Sequence, residues 1–72
     1  MKTTTYERML KHRARYEIAL ARHVVEMLCA GANPLLHIPQ GYSAEWLIAR
    51  AKAPRGWKAV ARMELEKIGE NQ

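Results

Sequence analysis

An all-α fold, one long helix with two shorter ones packed on it, is predicted by three features of the sequence. The stretch from Thr4 to Ala30 contains neither proline nor glycine. Three prolines and four glycines are concentrated after it, where they punctuate rather than interrupt. Beyond the punctuation, apolar residues recur at three- and four-residue steps, the spacing of one helix face.

The first helix is predicted over about 4–30. Thr4 with Glu7 has the spacing of a capping box, in which hydroxyl and carboxylate each satisfy a free amide of the first turn. Gly31 suits the left-handed residue just past a helix end, and Pro34 forbids continuation. On a wheel at roughly 100° per residue, Tyr6, Met9, Leu10, Ala14, Tyr16, Ile18, Leu20, Ala21, Val24, Val25, Met27 and Leu28 fill an arc of about 200°. A surface helix needs only ~100° to cover one neighbour, so this rod is expected to be covered from more than one direction. Opposite that arc lies a basic stripe of Arg8, Lys11, His12, Arg15 and Arg22, with Glu26 at its end. Arg13 and Glu17 break the apolar arc. Either they form an exposed pair on a part of the rod that projects past the core, or they cross to a second copy or a partner, since a polar pair in an apolar seam fixes register.

Residues 31–42, GANPLLHIPQGY, are predicted to be an apolar loop, with Leu35, Leu36 and Ile38 lying across the long helix as part of the core. His37 between them reads as a polar group at the rim of that core. Ser43 is placed to cap a second helix over about 44–53, with Glu45 in its first turn where the helix dipole favours an acid. Pro54 breaks the chain, and a third helix is expected over about 54–68, ended by Gly69. One kinked helix is the alternative. Trp46, Leu47 and Ala51 share a side of the second helix, and Trp57, Val60, Ala61, Leu65 and Ile68 form the apolar face of the third. Glu70, Asn71 and Gln72 read as a tail.

Seventy-two residues make one small domain whose core is marginal by itself, so stabilisation from outside the chain is expected. The lone Cys29 allows no internal disulfide and reads as a small core residue in a reducing compartment. That leaves association, and the wide apolar arc supports a homodimer through the long helix, with Leu10, Arg13, Glu17, Leu20, Val24 and Met27 as its interface. No signal peptide and no run near the ~18 apolar residues of a membrane span is evident, so a cytoplasmic protein without a membrane partner is expected.

The net charge of +5 is unevenly spread. Lys2, Arg8, Lys11, Arg13, Arg15 and Arg22 face only Glu7 and Glu17 in the first 22 residues, and Arg50, Lys52, Arg55, Lys58 and Arg62 stand without an intervening acid. Two such blocks suit an acidic partner, either protein or nucleic acid. Catalysis is not expected. The chain has no Asp, one Ser and one Cys, and no nucleophile, base and orienting group suggest themselves. A glycine-rich phosphate loop is lacking. His23, Glu26 and Cys29 recur at three-residue steps, but fan across about 120° of a helix, too widely for a shared metal. No cofactor or metal is expected.

Two functions remain. One is a protein-binding module, an inhibitor or adaptor that docks on a larger protein with an acidic or mixed surface. Its contacts would come from Tyr42, Trp46 and Arg50 and from the stripe of Arg8, Lys11, Arg15 and Arg22, residue types enriched where proteins meet. The other is a small DNA-binding regulator using Lys52, Arg55, Lys58 and Arg62. Against it, the break Ala53-Pro54-Arg55-Gly56 is not the turn of a helix-turn-helix, and Trp57 and Val60 occupy positions where base-reading groups belong. In size and composition the chain resembles the small helical inhibitors and regulators carried by phages and other bacterial mobile elements, a likeness that no motif carries.

Overall fold

The structure, a computed structural model, describes residues 5–70. Among them there are only helices and connections. Helix α1 spans Thr5–Cys29, a short 3-10 turn Leu35–His37, helix α2 Ala44–Arg50 and helix α3 Arg55–Glu70. The predicted capping box at Thr4 and the tail at Asn71 and Gln72 lie outside the described residues, as does the side chain of Tyr6.

At about 1.5 Å per residue, α1 with its 25 residues is the longest object in the molecule, and the overall extents of 50 × 25 × 15 Å follow it. Its C-terminal half builds the core. Leu20, Ala21, Val24, Val25 and Leu28 recur on one face and meet Leu47, Ile48 and Ala51 from α2 and its exit, and Ala61 from α3. Ile38, Tyr42, Ala53, Leu65 and Ile68 close the edges of this cluster. The wide apolar arc is therefore covered by α2 and α3 along half its length. From Arg8 to Tyr16 every side chain of α1 is exposed, and Ile18 is as well.

The end of α1 follows from Gly31. Its φ of +80° lets the Ala32 amide donate to Met27 O at 2.9 Å and the Gly31 amide to Leu28 O at 3.0 Å, the paired bonds of a Schellman motif. A Cβ at Gly31 would meet nothing within 4 Å, so only backbone strain opposes a side chain there. Gly31→Ala is expected to cost about 1 kcal/mol, read as a lower urea midpoint with an unchanged slope.

The loop is packed by different residues from those expected. Pro34 is fully buried and Ile38 sits against the core, but Leu35 is half-buried and Leu36 is 95% exposed. The reason is local. Asn33 Oδ1 accepts from the Leu35 amide at 2.9 Å and Pro34 O from the His37 amide at 2.8 Å, winding a tight turn that throws Leu36 outward. His37 is exposed, its ring 6.3 Å from that of His23. Cys29 is exposed too, not in the core. It is one residue beyond the buried Leu28, rotated away from the core face, and its thiol donates to Trp57 O at 3.3 Å.

Two helices, not one kinked helix, follow the loop. Ser43 is extended and its Oγ accepts from the Trp46 amide at 3.1 Å, as an N-cap should. Helix α2 ends at Arg50, shorter than predicted, because Ala51 turns extended (φ −62°, ψ 136°) while remaining buried. Pro54 precedes α3, and its carbonyl accepts from the amides of Trp57 and Lys58 at 3.1 and 3.2 Å, the place of a cap rather than of a first helical residue. Helix α3 runs through Gly69 to Glu70, so Gly69 does not end it. Among the described side chains of α3 only Ala61 is fully buried; Leu65 and Ile68 are half-covered, and Trp57 and Val60 are exposed.

Candidate functional site

Of the residues singled out in the sequence, Tyr42, Trp46 and Arg50 are brought together. Gly41, at φ +94°, is the third residue of a turn closed by the Tyr42 amide on Pro39 O at 3.3 Å. That turn returns the chain to α1 and sets Tyr42 against it. Within α2 the four-residue step from Trp46 to Arg50 keeps those two on one side, and Tyr42, which precedes the extended N-cap Ser43, joins them from the turn. Tyr42 and Trp46 have ring centroids 5.7 Å apart and tilted by 47°, and the Arg50 guanidinium carbon stands 4.6 Å from the Trp46 ring centroid.

Helix α1 extends this row with Tyr16, from which no docking role was expected, and with Arg13 and Glu17, which were expected at an interface with a second copy or a partner. Tyr16 meets Tyr42 edge-on at 6.3 Å, and the Tyr42 hydroxyl donates to Glu17 Oε1 at 3.0 Å. Arg13 Nε donates to the same oxygen at 3.1 Å. The two members of that ion pair differ in environment, the Arg13 side chain being 69% exposed and that of Glu17 only 14%. The Tyr42 hydroxyl, and after it Glu17, raise the Arg13 pKa above the ordinary arginine range. An arginine is protonated throughout the working range, so Arg13 remains a fixed charge there. Arg13, Glu17, Gly41, Tyr42, Ser43 and Trp46 line an open groove of about 590 Å³. The result is a ladder of Tyr16, Tyr42, Trp46 and Arg50 along a groove with an acid at its floor and an exposed arginine at its rim. Tyr16 is separated from Tyr42 by the whole loop, so no local spacing pointed to it.

The basic stripe divides. Arg8, Lys11 and Arg15 are exposed on the projecting half of α1 and make no ion pair among the described residues. Arg22 is instead a clamp between helices. Its Nη1 donates to Lys52 O at 2.9 Å, its Nε to Glu26 at 2.7 Å, and its guanidinium carbon lies 4.9 Å from the Trp57 ring centroid. Losing these contacts with Arg22→Ala is expected to cost about 1–2 kcal/mol. A thermal melt should fall by roughly 4–16 °C for a domain of this size, whereas Arg15→Ala should leave it unchanged.

Among the basic residues of the second block, Lys52, Arg55 and Arg62 are exposed, while Lys58 Nζ donates to Ala49 O at 2.9 Å and so caps the end of α2. Of the residues assigned to a dimer interface, Leu20 and Val24 are buried within the chain's own core and present nothing to a second copy. Met27 is half-buried, and Leu10 and Arg13 are exposed.

A second groove, of about 480 Å³, lies between the 3-10 turn and the end of α3, lined by Leu35, Leu65 and Ile68 with Glu45, Arg62, Glu66 and Gly69 around them. Among the described residues no three His, Cys, Asp or Glu side chains converge as a metal site would need. None of the described helices is long and apolar enough to cross a membrane. The class these observations define is an all-α chain in which a long N-terminal helix is packed by shorter ones over half its length, bearing one aromatic and arginine surface. Compared with protein-family models, curated proteins and solved structures, the chain matches none.

Proposed function

We propose that the protein acts by binding rather than by catalysis, as a cytoplasmic inhibitor or adaptor that docks on a larger protein through the Tyr16, Tyr42, Trp46 and Arg50 ladder. The observation that carries this reading is the ladder itself. Three aromatic rings and an arginine are partly exposed yet held against one another, so little side-chain freedom is lost when a partner covers them. Tyr, Trp and Arg are also the residues that most often dominate binding energy at protein interfaces. The exposed cations Arg8, Lys11 and Arg15 fit a partner whose surface carries acids, and would act chiefly on the rate of encounter and its dependence on salt.

A second reading, a small DNA-binding regulator, keeps one observation in its favour. Lys52, Arg55 and Arg62 are exposed, with no ion pair among the described residues. Lys58, tied to α2, is removed from that set. The two readings separate in a direct test. Tagged protein is passed through a nuclease-treated bacterial lysate beside its Trp46→Ala and Trp57→Ala variants. Under the docking reading, one stoichiometric protein is retained by the wild type and by Trp57→Ala and lost with Trp46→Ala. Tight binding of arbitrary duplex that collapses by orders of magnitude between ~50 and ~200 mM salt would transfer the case to nucleic acid.

A further inference from the structure

The two basic blocks of the sequence meet in one band. On α1, Arg8, Lys11, Arg15 and Arg22 follow one another at steps of three, four and seven residues, which keeps them on one face. That face runs for about 21 Å from the first to the last. Cys29, seven residues beyond Arg22, ends it. Arg22 donates to Lys52 O at 2.9 Å and the Cys29 thiol to Trp57 O at 3.3 Å, so the returning segment from Lys52 through Arg55 to Trp57 is seated at the end of the row. Arg8, Lys11, Arg15, Lys52 and Arg55 are exposed and form no ion pair among the described residues. Lys58 and Arg62 leave the band: the first is tied to Ala49 O, and the second lies in the other groove with Glu45 and Glu66. Acids are nearly absent from it. Of the two between Arg8 and Cys29, Glu26 pairs with Arg22. Glu17, beneath Tyr42, lies roughly 140–160° round the helix from Arg22 and Arg15. One flat ring stands in the band. Trp57 is 43% exposed, and the Arg22 guanidinium carbon steadies it at 4.9 Å from the ring centroid.

We infer that this band binds single-stranded nucleic acid, with phosphates along the row of cations and an unpaired base stacked on Trp57. Charge selects the class of partner. A straight row of unpaired cations is matched by a polymer that carries an anion at every step, as a phosphodiester chain does. A folded protein mixes its acids with other groups and would leave part of the row unmatched. Stacking then selects the single strand. Bases in a duplex cover one another, whereas an unpaired base offers its face to an exposed aromatic ring whatever its sequence. The docking ladder is independent of this band, because Tyr42 and Trp46 line the groove on the Glu17 side of α1.

Fluorescence anisotropy of the full chain with a labelled oligothymidylate of about 20 nucleotides, the matching oligouridylate and a duplex of the same length tests the assignment. Five phosphate contacts predict a fall in single-strand affinity of roughly 100-fold between ~50 and ~200 mM salt, and the duplex should bind at least ~10-fold more weakly. Either strand bound in this way supports the inference, and their ratio assigns DNA or RNA. Arg15→Glu and Arg62→Glu alter net charge equally at exposed positions, yet the first should weaken binding at least ~10-fold and the second by less than ~3-fold. Trp57→Ala should lower affinity ~5-fold or more without changing the salt slope, and Trp57→Phe should restore it to within ~3-fold. A readout that leaves Trp57 in place uses Trp46→Phe, whose remaining tryptophan fluorescence should be quenched as the strand saturates. Trp46→Ala should bind the strand as the wild type does. Absence of binding at ~50 mM salt overturns the inference. So do equal affinities of Arg15→Glu and Arg62→Glu, a Trp57 emission indifferent to the strand, and a duplex held as tightly as the single strand. Displacement of the strand by polyglutamate at equal charge would give the band to an acidic polypeptide instead.

Discussion

Leu28→Ala is expected to remove about half of the protein's stability. Leu28 is fully buried where α1 meets α2 and α3, and shortening such a residue loses its transfer energy and leaves a cavity, about 2–5 kcal/mol in all. At roughly 0.05–0.15 kcal/mol per residue, a chain of 72 residues holds only about 4–11 kcal/mol in total. With so few buried side chains, neighbours have little freedom to close the gap. Leu36→Ala makes the comparison sharp. Chemically it is the same change, but Leu36 is 95% exposed and its loss should fall within about 0.5 kcal/mol of zero. Urea unfolding followed by helical circular dichroism measures both. Equal midpoints for the two variants would mean that the core is not where α2 and α3 meet α1.

Trp46→Ala is expected to weaken the complex with the partner protein by about 30-fold or more, some 2 kcal/mol, the scale of a binding hot spot. Trp46 sits at the centre of the ladder, between Tyr42 on one side and the Arg50 guanidinium on the other, and is 39% exposed. Its removal takes away the largest apolar area offered there and leaves both neighbours unsupported. Arg50→Ala should cost less, because that side chain lies at the exposed end of the row. Trp57 provides the contrast: it is exposed to a similar degree, but its ring is engaged with Arg22, and Trp57→Ala should alter stability more than affinity. Titration of the purified partner by calorimetry or fluorescence anisotropy gives the ratio. Equal affinities for wild type and Trp46→Ala would remove the ladder from the interface.

Much of the fold was legible because it is written in local chemistry. Gly31 and Pro34 stop α1 through backbone geometry alone, Ser43 caps α2 with its own hydroxyl, and Pro54 stands just before α3 with its carbonyl accepting from the first turn. The joining of Trp46 and Arg50 was legible for the same reason, since four-residue spacing on a helix sets one side, whereas Tyr42 stands before the helix and is brought to them by the turn at Pro39. The loop was misread where hydrophobicity stood in for geometry. Leu36 is as apolar as Ile38, but the Asn33 and Pro34 turn points it into solvent.

The sequence by itself thus determined where helices begin and end and which residues share a helix side, because those depend on bonds and steric limits spanning a few residues. Only the tertiary structure decided how those sides are used. It made Arg22 an internal clamp, turned Cys29 outward and Leu20 and Val24 inward, brought Tyr16 and Glu17 to a loop twenty-five residues or so away, and left the first half of α1 uncovered. The physical reason is that an apolar stripe states only that something must cover it. What covers it, and how far along, depends on the length and direction of the segments that return, which no single helix records.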